Sequence, residues 1–170
     1  MIAYKFLRAD GTGPFTGFPW EPGEEPGDWV EAGGAVPCRD GIHACRVGDL
    51  PLWVGPDLYE VELGGEIVEG RDKLTASRGR LLGRVEDWDD EARDAYTRMC
   101  ADRAHELALR VQPPLESWDA MVERSVPEGP ALLGFVAARI AEEISGREGY
   151  RAERARQASW LAARLGLRGS

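Results

Sequence analysis

Apolar and polar positions follow one period before Trp88 and another after it. Before it the period is two, the spacing of side chains along a strand. Ile2, Tyr4 and Phe6 share one face of a segment running Ile2–Arg8, which predicts a first strand. The clearest strand is Leu58–Leu63, with Tyr59, Val61 and Leu63 on one face and Glu60 and Glu62 on the other. Gly64-Gly65 is a turn signal, so Glu66–Val68 is expected to pair back as a hairpin. Leu74–Ser77 and Leu81–Val85 read as further strands broken near Gly79, and Gly41–Cys45 as a short extended piece. Pro51–Val54 looks like a turn feeding a strand.

After Trp88 the spacing turns helical. Asp87, Asp89, Asp90, Glu91 and Asp94 crowd a helix start, where the positive end of the dipole favours them. Tyr96, Cys100, Leu107 and Val111 then share a stripe, and Pro113-Pro114 ends the helix. A short helix is expected from a Ser117 cap to Val126. A third runs from Pro130 to a stop at Gly146, apolar almost all round from Ala131 to Ala138 and so central and buried. A fourth covers Arg147–Leu165. Strands segregated ahead of helices predict an α+β fold: a mainly antiparallel sheet of about five strands covered by three or four helices. The chain is expected to be one domain, β-rich over 1–87 and helical over 88–170.

Residues 10–37 fit neither period. Gly and Pro are dense there and forbid a long helix, yet Phe15, Phe18, Trp20 and Trp29 sit among them. So many large aromatics predict an ordered loop pinned onto the core.

Charge adds an asymmetry. The net charge of −9 disfavours nucleic acid and anionic membrane as partners. Between Arg147 and Arg168, however, six arginines against two glutamates leave +4. That basic helix either docks on the protein's own acidic surface, such as residues 21–31, or meets an anionic partner such as RNA or an acidic protein. No targeting segment or membrane-spanning run is visible, and three cysteines are an odd number. A cytoplasmic location with reduced thiols is the expectation.

The densest chemistry is Pro37-Cys38-Arg39-Asp40-Gly41-Ile42-His43-Ala44-Cys45. In an extended segment His43 and Cys45 point the same way, and Cys38 can fold back across Asp40-Gly41. Three readings stand. In the first, the cysteines are small buried hydrophobes and His43 is hydrogen-bonded structure. In the second, His43 activates a cysteine nucleophile, oriented by Asp40 or a strand glutamate. In the third, the three ligate zinc with Cys100 or His105. Glu60 and Glu62 could do acid–base work, though a solvent-facing sheet surface explains them.

Several of these residues together resemble a family. Tyr4-Lys5-Phe6-Leu7-Arg8, the glycine-rich loop, Cys38 with Gly41-Ile42-His43-Ala44-Cys45, Tyr59–Leu63 and Lys73-Leu74-Thr75-Ala76-Ser77 resemble an uncharacterised bacterial and phage domain family with a C…G-[FI]-H-A-C stretch. The resemblance spans about residues 3–85 and implies a boundary but no activity. The chain also resembles, more distantly, ADP-ribosyltransferase-type folds, which would give Arg8, His43 and Glu60 or Glu62 roles in an NAD-consuming reaction. That fold has a helix between its first two strands, which residues 9–40 cannot form. With no phosphate-binding glycine loop, zinc-protease motif or nucleophile elbow, the leading expectation is a non-enzymatic interaction or accessory domain. The alternative is a small Cys/His-dependent or NAD-consuming transferase or hydrolase, using Cys38, His43, Cys45, Glu60 and Arg8.

Overall fold

The computed structural model describes residues 1–21, 23, 25–111, 116–125 and 128–168, the side chains of 116–119 excepted. The chain is α+β: five antiparallel strands come first, followed by helices. The strands are β1 (Ile2–Leu7), β2 (Val30–Glu31), β3 (Ile42–Ala44), β4 (Asp57–Glu69) and β5 (Leu74–Arg84). β4 pairs with β1 on one side and β5 on the other, and the far edge of β5 carries β3 and then β2. Just past β3, Cys45 meets Tyr4 of β1 through reciprocal backbone hydrogen bonds of 2.9 and 2.7 Å. The sheet is thereby curled into a small ring of β1, β4, β5 and β3, which leaves few free edges.

Curling gives the sheet two buried faces. Ala3 and Leu7 of β1, Ile42 and Ala44 of β3, and Tyr59, Val61 and Leu63 of β4 pack with Trp20 on the inner face. Tyr4, Phe6, Cys45 and Leu58 point outward, under the helices. Both parities of β1 are therefore covered, and its alternation does not mark a solvent face.

The Gly64-Gly65 pair is not the hairpin turn. β4 runs straight through it to Glu69, and the turn comes at Gly70–Lys73, where the Gly70 N–H donates to the Lys73 carbonyl at 2.8 Å. The glycines instead form a bulge between Gly64 and Ile67. Gly65 has φ +70°, and a side chain there would collide with Ser77 Oγ. β5 is likewise continuous through Gly79, where a Cβ would lie 2.9 Å from Ile42 Cγ2. Pro51–Val54 does lead into a strand, β4, but its first half is the end of a longer helical turn. Val47–Leu52 is a 3-10 helix with Pro51 inside it.

The helices are α1 (Asp90–Ala108), α2 (Glu116–Ser125) and α3 (Pro130–Leu165). Asp89 caps α1, its carboxylate accepting from the Ala92 N–H at 2.8 Å. The expected stop at Pro113-Pro114, the Ser117 cap and the end at Val126 lie outside the described residues or side chains. α3 is broken at Ser145 and Gly146, whose backbone angles are not helical, so its arms 130–144 and 147–165 are the two helices expected on either side of Gly146. The first arm is not buried all round: Leu132 and Phe135 are exposed. An aromatic series joins the layers, from Phe6 to Trp88 (5.9 Å between centroids), Tyr96 (6.2 Å) and Trp160 on α3 (5.5 Å).

Candidate functional site

The segment 36–45 is a tight turn followed by β3. Val36 and Asp40 exchange backbone hydrogen bonds of 2.7 and 2.9 Å, which puts Cys38 at the tip with φ +62°. Cys38 does fold back on His43, but through its backbone: its N–H donates to His43 Nε2 at 3.1 Å. An Nε2 that accepts leaves the imidazole proton on Nδ1, and the ring's other hydrogen bond is with the Gly41 backbone. His43 thus clips its own turn shut. Burial, then the ammonium charges of Lys73 and Lys5, hold its pKa below the ordinary value, and only the Gly41 bond acts the other way. Asp40 does not orient the ring; its carboxylate lies against Gly33.

The other sequence-derived candidates do not converge here. Cys45 shares His43's parity, as expected, but is buried beneath the helices, its Sγ–H donating to the Tyr4 carbonyl at 3.2 Å. Burial pushes its thiol up to about 12, and Cys100 on α1 likewise. Glu60 lies across from Tyr4, and Glu62 is paired with Arg80 at 2.7 Å. Arg8 donates to the Pro14 carbonyl at 2.7 Å, which braces the loop. Among the described residues no three His, Cys, Asp or Glu side chains are grouped to hold a metal ion, so the zinc arrangement through Cys100 or His105 does not form.

Two lysines stand where the histidine was expected to act. Lys73 Nζ donates to Cys38 Sγ at 2.8 Å and lies 5.4 Å from the Trp53 ring centre. Lys5, on the inner parity of β1, donates to the His43 carbonyl at 2.7 Å and lies 5.2 Å from the Trp20 ring centre. Burial lowers its ammonium to about 8. The aromatics continue outward: Phe15 sits edge-on to Trp53 at 5.7 Å, and Phe18 to Trp20 at 5.6 Å. Trp20 is pinned to the core as expected, whereas Phe15 is 80% exposed and Phe18 42%. Phe15, Trp53, Lys73, Cys38, His43, Lys5, Trp20 and Phe18 therefore form a continuous chain of contacts. Lys5 and Lys73 were hidden in the sequence because each precedes an apolar residue in a strand pattern. The cue for Lys5 was the aromatic-rich loop, whose Trp20 ring it meets.

The basic helix docks on its own chain, against α1 and the 3-10 helix. Arg154 is buried and donates to the Pro51 carbonyl at 3.1 Å. Glu153, 3% exposed, accepts from Arg103, Arg156 and Gln157. An open groove of about 490 Å³ beside this network is lined by Arg98, Asp102, Arg103 and Arg156, but Arg103 and Arg156 are already paired with Glu106 and Glu153.

The fold and site define an α+β domain with a curled five-stranded sheet, an aromatic rim and an exposed thiol beside an ammonium. Comparison of the chain with family models, curated proteins and solved structures found no match, so its chemistry is read from its own geometry. No helix among the described residues is long and apolar enough to cross a membrane.

Proposed function

We propose that this domain is a non-enzymatic interaction module that docks a second protein on the rim formed by Phe15, Phe18 and Trp53. The observation that carries this reading is Phe15: its ring is 80% exposed, yet it is held edge-on to Trp53 within a braced loop. A large aromatic kept rigid in water is preorganised to enter an apolar pocket on a partner. The loop supports it with the Arg8–Pro14 bond and with Asp10, which accepts from both the Thr12 N–H and its hydroxyl. His43, with its ring bound to two backbone groups, serves the fold in this reading. A free exposed thiol at Cys38 fits a reducing, cytoplasmic setting.

A second reading, a Cys38-dependent transferase or hydrolase, draws support from the Lys73–Cys38 contact alone. Its NAD-consuming form needs Arg8, His43 and Glu60 around one cleft, and their separate partners lend it no support.

The docking reading is tested with a photo-crosslinking phenylalanine analogue at position 15, irradiated in cells of the source organism. It predicts one discrete protein adduct, lost when Phe18→Asp is added. No discrete adduct, or the same pattern from a probe at position 135, refutes it.

A further inference from the structure

We infer that Cys38 and Lys73 form an oxidant-sensitive pair, in which peroxide oxidises the Cys38 sulfur and the Lys73 amine then closes onto it as a covalent sulfur–nitrogen link. The two reactive atoms are 2.8 Å apart, on segments that differ by 35 positions in sequence. Both backbones are anchored. The Cys38 backbone is fixed by the Val36–Asp40 turn and by its N–H bond to His43, while Lys73 closes the β4–β5 turn through its carbonyl. The thiol is exposed, so a small oxidant reaches it, whereas Cys45 and Cys100 are buried and offer no accessible second thiol.

The steps balance. The Cys38 thiolate attacks one oxygen of hydrogen peroxide; an S–O bond forms, the O–O bond breaks, and the other oxygen leaves as water with the thiol's proton. The sulfur is oxidised by two electrons to a sulfenic acid and the peroxide is reduced. The unprotonated Lys73 amine then attacks that sulfur. An S–N bond forms, the S–O bond breaks, and hydroxide leaves as a second water with an amine proton, as a backbone nitrogen does when a sulfenic acid becomes a sulfenamide. A thiol reductant reverses the link by attacking sulfur and releasing the amine; a second thiol then restores Cys38.

The link ties the 36–40 turn to the start of β5 and removes the Lys73 charge from the Trp53 face, which carries Phe15. Any effect on docking rests on the function proposed above; the link itself does not.

The test treats the full chain with hydrogen peroxide, then applies intact-mass and peptide-mapping mass spectrometry. Expected is a product lighter by two hydrogens, with the Lys73 peptide joined to the Cys38 peptide and released by dithiothreitol. Lys73→Arg keeps a cation beside sulfur, and there the reaction should stop at a sulfenic acid that dimedone traps. Cys38→Ser should give neither product. Oxidation of wild-type Cys38 to the sulfinic acid with Lys73 unlinked, a disulfide to another cysteine, or a product lighter by two hydrogens in Lys73→Arg would each overturn the inference. The position-15 crosslink reads docking independently of all of these.

Discussion

If Lys73 rather than His43 attends the Cys38 sulfur, substituting each must change thiol reactivity differently. The assay is the rate of iodoacetamide alkylation of the native protein. Cys45 and Cys100 are buried, with thiols pushed up to about 12, so a single site reports near neutral pH. In Lys73→Met the ammonium 2.8 Å from sulfur is gone. At a site open to water such a pairing is worth about 0.5–1 kcal/mol, which corresponds to roughly two- to fivefold in rate. The difference between wild type and Lys73→Met should shrink as salt is raised, because the charges are exposed. His43→Ala removes the acceptor for the Cys38 N–H, a loss of about 1 kcal/mol of stability, and about 2–4 °C in Tm for a domain of this size. The ring's hydrogen bonds go to backbone groups and not to the sulfur. Alkylation in His43→Ala should match wild type or exceed it as the turn loosens. A slowing in His43→Ala as large as that in Lys73→Met would refute this reasoning and restore the imidazole as the activating base.

Glu153→Ala should be among the most destabilising changes outside the apolar core, because it leaves Arg103, Arg156 and Gln157 without their shared acceptor. Both arginines reach solvent, so the expected loss is about 2 kcal/mol rather than the full cost of an orphaned buried charge, read as a lower urea midpoint at unchanged slope. Lys5 gives a pH signature. Its folded value of about 8 lies below the ordinary 10.5, so between the two the unfolded chain holds more protons and stability rises with pH. The shift corresponds to about 3 kcal/mol at most, opposed by the Trp20 face and the His43 carbonyl. The buried Cys45 and Cys100 thiols, raised to about 12, pull stability the other way in the same range, so the signature is a difference: from about pH 8 to 10 wild type should gain stability relative to Lys5→Met in urea unfolding, and an unchanged difference would refute it.

Periodicity carried the architecture. The alternation in Leu58–Leu63, the acidic start of α1 and the Gly146 break in α3 are each local signals, and each appears where its own residues dictate. Glycines in strands misled, because Gly-Gly makes a turn or a bulge with equal ease. At Gly64-Gly65 the choice is made by Ser77 and Trp29 packed against the bulge, far away in sequence. The candidate site was half legible. The fold-back of Cys38 on His43 follows from the short turn between them. That the contact is backbone to ring, that Cys45 is covered by helices, and that Lys73 supplies the cation at sulfur all depend on how the sheet curls. The arginine-rich helix was legible as basic, but the inward face of Arg154 was set by the Pro51 carbonyl it meets.

The proton on the His43 ring decides whether this residue serves the fold or a reaction. Long-range proton–nitrogen NMR of the imidazoles reads it directly. A backbone clip predicts a proton on Nδ1, a bare accepting Nε2, and a titration below the ordinary histidine value, with stability falling as the pH drops through that range. A proton on Nε2, or a titration above the ordinary value, would contradict the clip and with it the assignment of this residue to structure.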